Sequence, residues 1–167
     1  MNRLTIYRLV SYALLPVAVV LGLATVVAVF FALGNLAMLF SVFLTGATVI
    51  YIFSSFIFLQ RGIGKKIACK QSLKDLIKVN AYVALFFSIL GLMQGIMILL
   101  NPEASKLFLD NMMAMQANNT HAPDTASLMK VVKVVLYFMI ALSSLLLFHL
   151  GATFRYLRQY QDIFIKA

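Results

Sequence analysis

The sequence predicts an all-α polytopic membrane protein: four antiparallel transmembrane helices in one bundle, with a short outer amphipathic helix. Three observations carry this expectation. Of 167 residues, 63% are hydrophobic and 11% charged, against roughly 25% charged in a soluble domain. No charged side chain occurs in the 52 residues between Arg8 and Arg61. Two further uncharged runs follow, Val79 to Asn101 and Val134 to Phe154. The mean hydropathy of +0.97 excludes both a soluble globular domain and a disordered chain. The whole chain, residues 1–167, is read as one transmembrane domain.

The first run is too long for one crossing. As a single helix it would extend about 78 Å, against a hydrocarbon layer of roughly 30 Å. Gly34-Asn35 supplies the break, because glycine suits the residue just past a helix end and asparagine the N-cap of the next helix. Spans one and two are therefore placed at 9–33 and 36–59, as a hairpin. Pro16 is expected to bend the first. Arg3 and Arg8 precede a long apolar run without a polar cleavage region, so this helix reads as an uncleaved signal anchor. Span three, 79–101, is entered through Ser72-Leu73-Lys74-Asp75, which has capping-box spacing. Asn101-Pro102 ends it, since proline has no N–H to continue the ladder. Span four is placed at 134–154.

Basic residues set the orientation. Placing the N-terminus inside puts eleven of the 14 Lys and Arg residues on the inner side and leaves Lys106, Lys130 and Lys133 outside. Both termini and the loop 60–78 are then cytoplasmic, and the expected location is a bacterial inner membrane. Tyr7, Tyr12, Tyr82, Tyr156 and Tyr160 fall near the proposed inner face, where such rings prefer the headgroup level. The basic loop should lie against anionic lipid, at about 1 kcal/mol per basic side chain. Arg61-Gly62-Ile63-Gly64-Lys65-Lys66 lacks the full phosphate-loop pattern. The net charge of +9 is absorbed by topology, and no nucleic-acid partner is expected.

The outer loop, 101–130, opens with Asn101 as N-cap, Pro102 at the first helical position and Glu103 in the first turn. Ala104, Phe108, Met112 and Met115 share one face of the resulting helix. Met112, Met113, Met115 and His121 could suit copper(I), but an apolar helix face accounts for the methionines. No metal and no cofactor are expected. Asn118-Asn119-Thr120 matches a glycosylation sequon, relevant only in a eukaryotic secretory pathway.

Catalytic chemistry has few candidates. The spans contain no Asp, Glu, Lys or Arg, and His149 is the single intramembrane ionisable residue. No nucleophile–base pair or acid cluster is evident, so no enzyme activity is expected. Cys69 alone excludes a disulfide framework and a redox pair; its lysine neighbours could lower its pKa, but the expected reading is a reduced cytoplasmic thiol. Counting inward at about 1.5 Å per residue places His149 level with Ser54 and Ser55, and Gln94 level with Thr45 and Ser143. Two polar layers facing the bundle interior follow. Gly91 and Gly95 on span three, and Ala24, Ala28 and Ala32 on span one, offer small faces for helix packing, within the bundle or in a homo-oligomer. The expected role is a non-enzymatic accessory, scaffold or interaction component with a membrane-protein partner. The alternative is a carrier or channel for a small neutral or lipophilic solute, through a cavity lined by Gln94, Thr45, Ser88 and Ser143.

Overall fold

A computed structural model describes residues 3–116 and 125–165. The described residues are all-α apart from one pair of two-residue strands. Helix α1 spans Arg3–Ala32, α2 Leu36–Ile57, α3 Gln71–Leu100, α4 Pro102–Gln116 and α5 Thr125–Gln159. A π-helical turn, Phe58–Gly64, continues α2, and strand β1, Cys69–Lys70, precedes α3. A 3-10 turn, Gln161–Ile163, leads to strand β2, Phe164–Ile165.

Four helical stretches are long and apolar enough to cross a membrane: Arg3–Ala32, Leu36–Gly64, Gln71–Leu100 and Ser127–Gln159. In their most apolar windows only 11%, 28%, 22% and 17% of residues are buried. Large apolar side chains such as Phe30, Phe31, Phe40, Met93 and Val134 face outward instead. Apolar surface on this scale is what a helix facing lipid presents.

Helix boundaries follow local chemistry. Gly34, at φ +99°, takes the left-handed conformation that closes α1. The Asn35 side chain accepts from the N–H groups of Ala37 (3.1 Å) and Met38 (3.2 Å), capping α2. Asn101 does the same for α4, accepting from Glu103 (2.9 Å) and Ala104 (3.3 Å). Helix α1 runs through Pro16 without interruption.

The helices are longer than the uncharged runs. The loop placed at 60–78 narrows to a few residues, because α2 continues into the π-helical turn and α3 starts at Gln71, before the Ser72 capping box. Backbone pairing explains the first extension: the Lys65 N–H donates to the Gln60 carbonyl (3.2 Å) and the Ile67 N–H to the Arg61 carbonyl (3.0 Å). Gly62 is needed there, since a Cβ would sit 2.9 Å from the Phe58 ring. The segment 101–130 is likewise mostly helix; residues 117–124, including His121 and Asn118-Asn119-Thr120, lie outside the described residues, as does the Met115 side chain. Cys69–Lys70 pairs in parallel with Phe164–Ile165, an element absent from the all-α expectation.

Two compact units divide the chain: residues 1–87 with 145–167, and residues 88–144. In the first, α1 and α2 pack as an antiparallel hairpin. A Cβ on Gly22 would touch Val49 at 3.4 Å and one on Gly46 would touch Thr25 at 3.7 Å, ordinary contact distances that mark where the two helices meet. Near the other end of the hairpin, the Gln60 amide donates to the Tyr12 hydroxyl (2.7 Å). In the second unit, Ile98, Leu109, Leu128, Val132 and Leu136 form a buried cluster, with Phe108 and Met112 packed against it. The apolar face of α4 thus includes Leu109, which the Ala104–Phe108–Met112–Met115 stripe omits.

Candidate functional site

The first unit places a run of hydroxyl and imidazole groups among its helices. Tyr7 and Ser11 come from α1, Tyr51 from α2, and His149 and Thr153 from α5; each is at most 1% exposed. Every pair on one helix is four residues apart, which puts both members on one face. His149 Nε2 lies 2.9 Å from Ser11 Oγ, and Nδ1 lies 2.8 Å from the Tyr51 hydroxyl. The Tyr51 hydroxyl also reaches Thr153 Oγ1 (2.9 Å), and Tyr7 reaches the same oxygen at 3.2 Å. The Tyr7 ring stacks on the imidazole with centroids 5.0 Å apart, and the Tyr51 ring meets it edge-on at 5.6 Å.

Proton bookkeeping orders this network. Ser11 donates to the Tyr7 carbonyl (2.8 Å) and Thr153 to the His149 carbonyl (2.8 Å), one turn back in each helix. Their oxygens are then free to accept. Nε2–H donates to Ser11, and in a neutral ring Nδ1 accepts from Tyr51. Tyr7 donates to Thr153. The Tyr51 proton faces two acceptors, Nδ1 and Thr153 Oγ1, and can rotate between them. No buried side-chain nitrogen or oxygen among the described residues lacks a hydrogen-bond partner.

Of the residues assigned to polar layers from sequence, His149 sits in this cluster and Ser55 adjoins it beside the Tyr51 hydroxyl. Ser54 donates to the Ile50 carbonyl (2.6 Å) and Ser55 to the Ile52 carbonyl (2.9 Å), both within α2. Tyr51, about one turn before them, has the reach that a serine lacks. Thr45 likewise donates to the Ser41 carbonyl of its own helix (2.8 Å). In the second unit, Gln94 is exposed and Ser88 and Ser143 are buried. Rather than joining a polar layer with Gln94, Ser143 packs against the glycine face of α3: its Oγ lies 3.0 Å from where a Gly91 Cβ would stand.

The small-residue faces also differ in use. A Gly95 Cβ would come within 2.8 Å of Ile140, so Gly91 and Gly95 both admit α5 closely. On α1, Ala32 is fully buried, Ala28 half-buried and Ala24 exposed, and it is Gly22 that faces Val49 of α2.

Sequence reasoning missed Tyr7, Ser11, Tyr51 and Thr153. Their signal was the four-residue spacing of polar groups inside apolar runs, with Tyr7–Ser11 and His149–Thr153 as the pairs. Tyr7 reads as an interface ring only while its neighbours are ignored.

Cys69 lies outside the four long apolar stretches and is 6% exposed. Burial pushes its thiol pKa up, with the Arg61 charge opposing weakly. The lysine neighbours do not lower it: the side chain turns inward toward the Phe58–Gly62 turn, and its Sγ donates to the Ile67 carbonyl (3.6 Å). Among the described residues no group of three or more His, Cys, Asp or Glu could hold a metal ion. Comparisons with protein-family models, with curated proteins and with solved structures find no match to this chain.

Proposed function

We propose that the chain is an integral protein of a bacterial inner membrane, with four antiparallel spans and both termini cytoplasmic. It acts without catalysis, as an accessory or scaffold component that associates with other membrane proteins through its helix faces. The observation that supports this reading is the closed state of the polar centre. His149 is 0% exposed, and its two nitrogens are taken up by hydroxyls that are themselves buried. Such a cluster fastens α1, α2 and α5 together. Buried polar groups in lipid need partners, and here they find one another. A carrier would instead present Thr45 and Gln94 to a shared wet cavity, whereas Thr45 bonds its own helix and Gln94 is exposed.

Two measurements test this. Cysteine variants on a Cys69→Ser background report topology: Asn119→Cys should label from outside intact cells, and Lys65→Cys only after permeabilisation. The reverse pattern overturns the orientation. In proteoliposomes the chain should add no flux of small neutral solutes. A flux above that of protein-free liposomes would overturn the scaffold reading and favour the carrier.

A further inference from the structure

The first unit carries a second feature outside the histidine cluster. A cleft of about 500 Å³ lies between the start of α3 and the end of α5, lined by Lys74, Lys78, Tyr82, Phe154, Leu157 and Arg158. Lys74, Lys78 and Tyr82 recur every four residues, so they share one face of α3. Like charges at that spacing destabilise a helix, and Arg158 of α5 adds a third cation. The neighbouring acids in sequence, Asp75 and Asp162, do not line the cleft.

Lys74 is held in place. Lys74 Nζ sits 5.4 Å from the centroid of the Phe164 ring, which is positioned by the β1–β2 pairing. Tyr82 and Phe154 pack at 5.6 Å and give the cleft an aromatic wall, and buried Leu157 contributes an apolar one. Three cations beside aromatic and aliphatic surface match a ligand with a concentrated negative head and an apolar body. Basic pockets between transmembrane helices on the cytoplasmic side bind multiply charged lipid headgroups in this way.

We infer that the Lys74–Lys78–Arg158 cleft binds the headgroup of a phospholipid carrying more than one negative charge, with its glycerol and upper chains along Tyr82 and Phe154. This deepens the expected contact of the basic loop with anionic lipid into a defined site, and it rests on the reading that the chain spans a membrane. That reading is checked separately: a chain released from membranes by alkaline carbonate refutes the membrane reading itself.

The test titrates the purified full chain with phosphatidylcholine vesicles carrying cardiolipin or, at equal total charge, phosphatidylglycerol, with bound lipid read by native mass spectrometry. One cardiolipin per chain should be retained in preference to phosphatidylglycerol. Lys78→Gln and Arg158→Gln, both at exposed positions, should each weaken retention about five-fold. The pair Lys65→Gln and Lys66→Gln removes charge outside the cleft and should leave retention unchanged. Equal loss in that control pair would overturn the site in favour of diffuse surface charge. Equal retention of the two lipids would overturn the match to a multiply charged head. Displacement of the lipid by inorganic phosphate would reassign the cleft to a soluble phosphate ligand.

Discussion

Tyr51→Phe removes one oxygen from the centre of the buried network and nothing else. That oxygen stands 2.8 Å from His149 Nδ1 and 2.9 Å from Thr153 Oγ1. Thr153 keeps its bond to the His149 carbonyl and its contact with Tyr7, so it remains satisfied. His149 Nδ1 does not: it loses its one hydroxyl partner in a site with no exposure. An interhelical hydrogen bond in a membrane contributes about 0.6 kcal/mol on average, whereas stranding a buried acceptor costs about 1–3 kcal/mol. The expected loss for Tyr51→Phe is therefore about 1–3 kcal/mol. Tyr7→Phe removes only the 3.2 Å contact to Thr153 and strands no ring nitrogen, so its loss should stay near 0.6 kcal/mol. Reversible unfolding in mixed micelles measures both. Adding His149→Leu to Tyr51→Phe removes the stranded nitrogen together with its partner, and the double variant should lose less than the sum of the singles, by about 0.5–3 kcal/mol. A Tyr7→Phe loss equal to or larger than that of Tyr51→Phe would refute the proton bookkeeping.

Other expectations concern packing, caps and pH. Gly95→Leu drives a Cβ to 2.8 Å from Ile140 and should cost about 1–3 kcal/mol by overpacking, whereas Gly151→Ala enters open space and should stabilise α5 by up to about 1 kcal/mol; the same unfolding assay ranks them. Asn35→Ala and Asn101→Ala each remove a side-chain cap and should each cost about 1 kcal/mol, read by unfolding and by loss of amide protection at Ala37, Met38, Glu103 and Ala104. Burial raises the Cys69 pKa, so this thiol favours the folded state fully below the usual thiol value of about 8.5. That contribution falls as pH rises through the folded-state value, because the unfolded chain ionises first. Cys69→Ala should flatten the decline in stability above about pH 8.5, and iodoacetamide should alkylate native Cys69 more slowly than the unfolded chain.

Helix number, the breaks between helices and their caps were legible in the sequence because they depend on local chemistry. Asn35 and Asn101 cap their helices through N–H groups two and three residues away, so spacing alone identifies them. Helix length was less legible. A run without charges marks hydrocarbon thickness, but helices continue past it while backbone partners remain, as α2 does through the Phe58–Gly64 turn. The histidine cluster was legible only in part. Depth counting brought His149 level with α2 but selected Ser54 and Ser55, because it compares Cα heights and ignores side-chain reach. A tyrosine hydroxyl projects well beyond a serine's, and serines in helices readily bond the carbonyl a turn back.

What the sequence by itself determined is the sum of local terms: hydrophobic runs long enough to span a bilayer, punctuated by Gly34, Asn35 and Asn101-Pro102. What only the tertiary structure decided is which residues meet. Tyr7, Ser11, Tyr51, His149 and Thr153 come from three helices separated by up to 146 positions, and no periodicity within one helix encodes the rotation of another. The same holds for Lys74, Lys78 and Arg158, whose convergence depends on how α3 and α5 pack. It holds for Cys69 too, whose lysine neighbours in sequence matter less than the turn it is folded against. Local backbone preferences act over a few residues, whereas burial and hydrogen bonding between helices are settled by the rotation and height at which their faces meet.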